Sequence, residues 1–409
     1  MLSSLYSGVS GINAAGYTMS VLGNNIANST TVGFKGGYTS FADILSQSLG
    51  GAGGGGQIGR GVNLSDVGTL FTQGSFENTS NGTDLAIEGA GFFMVADDTG
   101  TYYTRAGQFI MDDEGYLVNP SGFRLQGYSA DETGALLTTI GDLNVAQISS
   151  APLATTSFRI VANLDGSVQQ NEEGSIYSTT ITVYDSIGSA IPLTLTFTKE
   201  ATQGTWSWLP SVPSDMGTIN SGGGTLQFDT DGNLASPPGD ETIVIDPATG
   251  GAQLTVDWNI LDPTTGLPST DITGYASAND TYGLFQDGYA PGTVESVAIE
   301  QDGQIVGLFT NGQTRTIGQV LVADFVSPWG LTKMGKSLFA ESMSSGQPTI
   351  GEAGTGGRGS IAANALEMSN VDMASEFVRM ITTQRAYQAN ARVISTSDDL
   401  LAELMQIKR

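Results

Sequence analysis

The last forty residues of the chain carry apolar side chains at regularly alternating steps of four and three. The positions of this stripe are Phe377, Met380, Gln384, Tyr387, Ala391, Ile394, Asp398, Leu401 and Met405. Such spacing is the heptad repeat of a coiled-coil seam, so it predicts one long helix over residues 370–409. Asn370 and Asp372 supply a cap and an acidic first turn, and Lys408 and Arg409 supply cations at the other end.

The start of the chain carries the same repeat. Its positions are Leu2, Leu5, Val9, Ile12, Gly16, Met19, Gly23 and Ile26. Four glycines in this predicted helix, at positions 8, 11, 16 and 23, each cost about 1 kcal/mol relative to alanine, so packing must supply the stability. We therefore expect the terminal helices to pair. They form either an ordinary antiparallel pair that closes one domain or segments that fold only on assembly.

Between the two helices the apolar pattern changes to the alternation of β-strands. Short strands parted by Gly and Asp turns are predicted over residues 85–95, 103–109, 115–119 and 122–128, with a hairpin at Asp302-Gly303. Alternating apolar and threonine positions from Ile181 onward predict a half-buried antiparallel sheet domain with Thr-rich outer faces.

These patterns predict a multidomain chain, with a terminal α-helical coiled coil and mainly antiparallel β domains, an α+β fold that is mostly β. Its parts are nested, so that both chain ends lie together. The predicted boundaries are 1–27 and 370–409 for the helical core, 28–75 and 351–369 for a linker or gap-filling segment, 76–150 and 287–350 for an inner β-domain, and 151–286 for an inserted outer β-domain.

Candidate catalytic and ligand-binding patterns are few. The chain has no histidine and no cysteine, which removes the usual general base, the commonest zinc ligands and any disulfide. The acidic runs at residues 112–114 and 229–233 adjoin glycines and are interpreted as hairpin turns. Residues 54–59 match a dinucleotide-binding pattern, but they overlap a glycine run, which satisfies such a pattern by chance. We expect no enzyme activity, cofactor or metal.

Aromatic and charged residues refine this picture. Trp206, Trp208 and Trp258 are expected in the core of the inserted domain, although a carbohydrate platform stays open as an alternative. The net charge is −26, yet residues 1–40 carry +1 and residues 370–409 carry zero, so the remaining residues carry −27. The ends can therefore pack densely, and the acidic remainder disfavours nucleic acid and anionic membrane surfaces.

Two motifs at opposite ends of the chain resemble those of the flagellar rod, hook and hook-associated proteins. Residues 24–35 read NNIANSTTVGFK, and residues 369–374 and 384–391 read SNVDMA and QRAYQANA. In the first motif we expect Asn28 to end the helix in a left-handed conformation and Lys35 to lie near the helix C-terminus. The residues that carry the resemblance are Asn24, Asn25, Asn28, Gly33, Phe34, Lys35, Gln384, Arg385, Tyr387, Gln388 and Asn390.

The resemblance implies a structural subunit. Within that family the insertion at 151–286 favours the hook members, which polymerise into a curved tube that acts as a universal joint between rod and filament. A distal rod protein is the nearest alternative, and a secreted β-rich carbohydrate-binding protein is the alternative from another class. The expected assembly interface is Leu2, Leu5, Val9, Ile12, Met19, Ile26, Phe377, Met380, Tyr387, Ile394 and Leu401.

The resemblance also implies partners and a location. The partners are further copies of the chain in a helical homopolymer, the rod, the hook cap, the hook-filament junction proteins and the flagellar type III export apparatus. The expected location is the extracellular flagellar hook. No run approaches the roughly 18 apolar residues of a membrane span, and no basic leader or small-residue cleavage site is visible, which alone would indicate a cytoplasmic protein. The resemblance instead implies export through the flagellar type III channel without a cleaved signal.

Overall fold

The computed structural model describes residues 2–44, 47–48, 57–131, 133–146, 148–236, 240–261 and 270–407. The chain forms two compact units. The first contains Met1–Ile148, Ser296–Leu308 and Thr314–Arg409, and the second contains Ser149–Glu295 and Phe309–Gln313. The glycine tract at 50–56, which includes the first half of the dinucleotide-like pattern, lies outside the described residues, as do Lys408 and Arg409.

Two helices, α1 (Leu2–Ala27) and α2 (Met373–Ile407), pack against each other in the first unit. They run antiparallel, since Ser4 hydrogen-bonds Ser397 while Asn25 hydrogen-bonds Glu376. Asp372 caps α2 by accepting the backbone N–H groups of Ala374 and Ser375. The prediction of Asn370 as the cap is wrong, because its side chain contacts the segments around Gly36 and Thr72 instead.

The strands of both units are short. The first half of them are β1 (Gly37–Asp43), β2 (Gln47–Ser48), β3 (Gln57–Ile58), β4 (Val62–Thr69), β5 (Phe76–Asn78), β6 (Leu85–Glu88), β7 (Phe92–Asp97), β8 (Gly100–Thr104), β9 (Ile110–Met111), β10 (Leu117–Val118), β11 (Arg124–Ala130), β12 (Leu136–Asp142), β13 (Ser149–Ser150), β14 (Ser157–Asn163), β15 (Ile176–Tyr184) and β16 (Ala190–Lys199). The others are β17 (Thr205–Ser211), β18 (Gly217–Ser221), β19 (Gly224–Phe228), β20 (Leu234–Ser236), β21 (Glu241–Pro247), β22 (Leu254–Trp258), β23 (Ile272–Thr273), β24 (Asp280–Gln286), β25 (Gly292–Ile299), β26 (Gln304–Phe309), β27 (Thr314–Asp324), β28 (Thr332–Gly335), β29 (Leu338–Ala340), β30 (Thr349–Glu352), β31 (Ser360–Ala363) and β32 (Ala365–Glu367). A 3-10 turn, Pro328–Gly330, follows β27.

The sheet of the first unit is organised around β27, which pairs antiparallel with β7, β11, β26 and β30. Its residues 317–323 are all buried, as expected for a strand covered on both faces. Phe92, Tyr103 and Phe325 belong to a cluster of edge-on aromatic rings beside it. The fold class of terminal helices with mainly antiparallel sheets is confirmed.

The segments predicted as linkers contain paired strands. β1 pairs antiparallel with β4, and this hairpin lies along α1, where Thr18 hydrogen-bonds Thr39. Near the other end of the chain, β31 pairs with β6 and β32 pairs with β5. The returning chain is therefore held by backbone hydrogen bonds on its way to α2.

The second unit is a β-sandwich. One sheet has the order β15-β16-β17-β19-β20, the other has the order β18-β21-β22-β14-β23 with β24 on β14, and their apolar faces share one core. Trp208 meets Trp258 edge-on at 4.9 Å between ring centres across that core. Trp206 is also fully buried, so the core assignment of the three tryptophans is confirmed. Pairing in this unit is mainly antiparallel, as predicted, and the exception is β14, which runs parallel to both β22 and β23.

The chain passes into and out of this second unit at neighbouring positions. β13 at its start pairs antiparallel with β25, joining Ser149 to Thr293 and Ser150 to Gly292. Just inside, Leu153 and Tyr289 form an isolated antiparallel bridge with hydrogen bonds in both directions. The two ends of the inserted segment are thus closed by a short backbone ladder.

One turn geometry recurs between strands of both units. The backbone N–H of its first residue donates to the carbonyl of the fifth, and the fourth residue is a glycine with φ between 80° and 87°. A carboxylate or amide oxygen of the first residue accepts the N–H groups of the third and fifth, which fits a hairpin with a glycine bulge. Turns of this kind begin at Asp112, Asn119, Asp131, Asp185 and Asp229.

Both acidic runs that could resemble ligand sites are such turns, so their interpretation as hairpin turns is confirmed. The turn at Asp185 differs from the others because its first residue is fully buried and also accepts a hydrogen bond from Thr249 at 2.5 Å. Burial alone would raise the pKa of the Asp185 carboxyl, but hydrogen bonds from Thr249, Ser189 and Ile187 outweigh burial and lower it.

We predict that Asp185→Asn destabilises the second unit by about 1–3 kcal/mol at neutral pH, because it removes a charged acceptor from buried donors. A carboxyl whose pKa is lowered by folding stabilises the protein above its unfolded pKa of about 3.9. That contribution is lost as the pH falls through the folded pKa, so the variant should lose less stability than the wild type in acid. Urea unfolding followed by fluorescence of the buried tryptophans measures both effects.

Asp229→Asn is the matched control, because the same turn is exposed there and solvent replaces the lost interaction. Equal losses of stability in the two variants would contradict the assignment of the buried hydrogen bonds of Asp185 as the cause.

Candidate assembly surface

The two motifs that lie at opposite ends of the sequence meet in the first unit. The backbone N–H of Gly33 donates to the carbonyl of Glu367, and that of Gly36 donates to the side chain of Asn370. Gly33 has a φ of 66°, and a Cβ there would lie 2.3 Å from the backbone nitrogen of Ala106. Only glycine therefore fits where this motif crosses the segment that follows β8.

A buried charge cluster holds this junction together. Lys35 donates to one carboxylate oxygen of Glu367 at 2.5 Å, and Arg105 donates to the other at 3.2 Å. Glu367 is fully buried and also accepts the backbone N–H of Gly74. Other donors of the two cations reach the carbonyls of Thr72, Ile87 and Gly89, whereas Nε of Arg105 has no hydrogen-bond partner among the described residues.

Burial dominates the electrostatics of the two cations. It lowers the pKa of Lys35 and of Arg105, and the attraction of Glu367 for each cation only partly offsets that effect. The expected position of Lys35 at a helix terminus is wrong, because α1 ends eight residues earlier and Lys35 instead pairs with Glu367. Asn28 also lacks the predicted left-handed conformation, since its φ is not positive, and its side chain donates to the carbonyl of Asn24.

Asn25 joins the helix pair to the β1–β4 hairpin. Its side-chain amide forms two hydrogen bonds of 2.8 Å with the backbone of Gly37, one in each direction. The same amide nitrogen donates to the buried carboxylate of Glu376 on α2, which also accepts from Arg379. One motif side chain thus fixes both helices and the hairpin.

Small and polar residues, together with Ile394, contribute to the contact between the helices. A Cβ on Gly8 would lie 2.9 Å from Ile394, and one on Gly11 would lie 2.6 Å from Asn390. Gly8, Ala15, Leu22 and Asn25 are the buried residues of α1, and Glu376 and Ser397 are the buried residues of α2 among the side chains described. The heptad spacing is therefore present, but the seam within the chain lies one residue to the side of most predicted positions.

The large apolar side chains of the predicted stripes remain open to solvent or only half-buried. Val9 is 41% exposed, Phe377 46% and Met405 73%. Further exposed apolar and aromatic side chains extend these faces, namely Tyr6, Tyr17, Val378, Ile381, Tyr387, Val393 and Leu400. Each helix therefore carries large apolar side chains that nothing in its own chain covers within the described residues.

The structure places the other predicted residues as follows. The half-buried ones are Leu5, Ile12, Met19, Ile26, Met380, Leu401, Asn28, Phe34 and Asn390, whereas Asn24, Gln384, Arg385 and Gln388 are exposed. Ile394 packs on Gly8, and the side chain of Leu2 lies outside the described residues. Sequence reasoning missed Arg105, Glu367 and Glu376, because a single charged residue in a strand or helix gives no local sign of burial.

Among the described residues no group of three or more acidic side chains is arranged to hold a metal ion. Neither helix, as far as it is described, combines the length and apolar character needed to cross a bilayer.

Comparison with known proteins gives consistent matches. Three family profiles match: "Flagella basal body rod protein" over residues 5–35, "Flagellar basal body protein FlaE D2 domain" over 119–289 and "Flagellar basal body rod FlgEFG protein C-terminal" over 362–407. The flagellar hook protein FlgE of Borreliella burgdorferi is 37% identical, with all of both chains covered. That of Escherichia coli is 34% identical, with 98% of each chain covered. The crystal structure of Helicobacter pylori FlgE2 matches with a TM-score of 0.47 and 15% identity, covering 71% of this chain and all of that one.

We predict that Glu367→Gln destabilises the first unit by about 3–5 kcal/mol, because it leaves two buried cations without their shared anion. Thermal unfolding followed by circular dichroism measures the loss. Glu352→Gln, on an exposed strand position, is the matched control. Replacing Lys35 and Arg105 by Met together with Glu367→Leu should recover most of the loss, and a loss no larger than that of the control would contradict the role of the cluster.

We also predict that α2 opens more readily than the sheet in the unassembled chain, because only Glu376 and Ser397 are buried among its described side chains. Hydrogen exchange of the dilute monomer should show fast exchange along α2 and slow exchange in β27. Equal protection of Tyr387 and Val322 amides would contradict this.

Proposed function

The chain belongs to the flagellar hook protein family, and we propose that the exposed apolar faces of its terminal helices are the surface through which its copies polymerise. The protein is a structural subunit of the bacterial flagellar hook, in the extracellular flagellum. The assembled hook is a helical tube that transmits rotation from the rod to the filament. In this proposal α1 and α2 line the inner wall of that tube.

The observation that supports this proposal is the separation of two surfaces on each helix. Small residues such as Gly8 and Gly11 allow α1 to approach α2 closely within one chain, while many large apolar residues of both helices are left exposed. Burying apolar surface stabilises association by roughly 25 cal/mol per Å². Burial of these exposed apolar side chains in every copy therefore favours a polymer over a free subunit.

The charge distribution supports the same arrangement. The terminal segments sum to +1 and the remainder of the chain carries −27. Helices with almost no net charge pack closely around a common axis without mutual repulsion, whereas a strongly acidic segment favours a solvated position. We infer that residues 41–369 face outward in the polymer.

The remaining partners follow from this position in the flagellum. We propose contacts with the rod at one end of the tube and with the hook cap and the hook-filament junction proteins at the other. We propose export through the flagellar type III apparatus before assembly. A catalytic role is not part of the proposal, because the acidic clusters of the chain serve as turn caps.

A tube that rotates while bent requires outer contacts that lengthen and shorten on each turn. In the second unit, Ser178, Thr180 and Thr182 alternate outward along β15, and Thr180 hydrogen-bonds Thr194 across the sheet. Short polar side chains of this kind form small, weakly specific contacts. We propose that such faces slide past neighbouring copies while the helices stay packed.

We predict that Val9→Asp abolishes tube formation without lowering the stability of the monomer, since Val9 is exposed until neighbouring copies cover it. A carboxylate buried without a partner in the polymer costs several kcal/mol at every subunit. Ile394→Asp should instead also weaken the helix pair, because Ile394 packs on Gly8. Negative-stain microscopy and thermal unfolding separate the two effects.

Leu209→Asp is the matched control, because it introduces the same charge at an exposed apolar position of the second unit. Tubes of normal length from the Val9→Asp protein would show that the exposed face of α1 is not an assembly surface.

We predict that cryo-electron microscopy of a bent tube shows different axial spacings on the inside and outside of the bend, with each unit moving as a rigid body. The reason is that weak polar contacts change register at little cost while packed apolar helices do not. Outer contacts formed by a large apolar interface that is invariant around the circumference would rule out sliding.

A further inference from the structure

The second unit contains a pocket that its structural role leaves unexplained. Its volume is about 470 Å³, and it opens between the turn at Asp229, the segment around Gly274 and the end of the β16–β17 loop. Phe228 packs on Gly274 and Tyr275 packs on Gly232, where an added Cβ would lie 2.7 Å from the ring in each case. We call this the Lys199 pocket, after the cation that lines it.

The side-chain ammonium of Lys199 is buried and has no hydrogen-bond partner among the described residues. The residue as a whole is 3% exposed. The ammonium lies 5.1 Å from the ring centre of Trp206, a cation–π distance that satisfies none of its three N–H donors. A charged group buried without a partner is costly, so a partner from outside the chain is expected.

The nearest carboxylates do not supply that partner. Asp165 acts on Lys199 only through space, and its oxygen is used by the backbone and hydroxyl of Ser167. Asp229 accepts two backbone N–H groups inside its own turn. Asp165 balances part of the charge of Lys199, but neither acid accepts a hydrogen bond from its ammonium within the described residues.

A second free donor lies beside the first. Trp206 is the cross-strand partner of Lys199, which places both side chains on the same face of the sheet. The indole N–H of Trp206 is also buried and has no hydrogen-bond partner in the part of the chain that the structure describes. Both groups only donate hydrogen bonds, so the group that would satisfy them is an acceptor with two oxygens.

Charge and shape select the kind of acceptor. Phosphate sites in proteins are usually built from Arg forks, several cations or helix N-termini, whereas the lining here offers one cation and the acidic side chains of Asp229 and Asp231. A singly charged carboxylate fits this balance better than a dianion. Phe228 and Tyr275 provide apolar walls for the carbon atoms attached to it.

We propose that the Lys199 pocket binds a carboxylate, whose oxygens accept hydrogen bonds from the ammonium of Lys199 and the indole of Trp206. Lys199 and Trp206 both line the pocket. The carboxylate belongs either to a small organic acid or to an acidic side chain of a neighbouring copy. Both sources offer the same chemistry to the pocket.

The test is a titration of the full-length monomer with sodium acetate against sodium chloride at equal ionic strength. Nitrogen-15 labelling of lysine side chains identifies the Lys199 signal as the one absent from Lys199→Gln. We expect that signal to shift saturably with acetate. We also expect acetate to raise the unfolding temperature of the wild type, and Lys199→Gln and Lys199→Met to bind acetate at least tenfold more weakly.

Lys333→Gln, which removes a lysine of the first unit, should respond to acetate like the wild type. The absence of a saturable shift in the wild type, or an equal response in Lys199→Gln, would overturn the proposal. Inorganic phosphate binding more tightly than acetate would overturn the assignment to a carboxylate. Both Lys199→Gln and Lys199→Met are measured, so that the test still stands if one of the two variants misfolds.

A second arm distinguishes the two sources and rests on the proposed polymerisation. The effect of acetate on tryptophan fluorescence is compared before and after tube formation. Loss of the effect in tubes assigns the carboxylate to a neighbouring copy, and its retention assigns the carboxylate to a free acid. Failure to form tubes would count against the proposed function alone, because the monomer titration tests the pocket independently.

Discussion

The first unit depends on one buried carboxylate. Glu367 lies on the returning chain just before α2, and it holds Lys35 from the segment after α1 and Arg105 from the sheet. The chain between these partners includes the whole second unit, so the contact closes a very long loop. Buried ion pairs add little net stability, yet an unmatched charge in the same place is costly. The cluster therefore disfavours arrangements in which the chain ends meet in another register, and α1 and α2 are aligned as a result.

Sequence patterns predicted the helices and strands well, because local periodicity decides them. Heptad spacing placed α1 and α2 within a few residues of their observed bounds, and Asp302-Gly303 marked a real turn. The seam was displaced for a physical reason. An apolar stripe records that a face is buried somewhere, and it does not tell whether a partner in the same chain or another copy covers it. The residues that do pair inside the chain, such as Gly8 and Ser397, carry no hydrophobic signal.

The junction could be predicted only in part. Asn25 and Gly33 stood out through the motif, but their roles depend on Gly37, Ala106 and other residues that are distant in sequence. Glu367 and Arg105 gave no local sign of burial, because isolated charged residues are usually solvated. The parallel pairing of β14 was also invisible, since strand direction depends on chain path and not on alternation. The burial of Lys199 was not predicted either, because it too is an isolated charged residue in the sequence.

The short ladder between β13 and β25 has a consequence for how this chain changes over evolution. Because the inserted segment begins and ends on paired strands, its content is separated from the sheet that continues the first unit. A lineage can lengthen, shorten or exchange that segment while the backbone at Ser149 and Thr293 stays in place. The same feature makes this position a graft point, where a foreign domain with adjacent termini could be displayed at regular intervals on a protein nanotube.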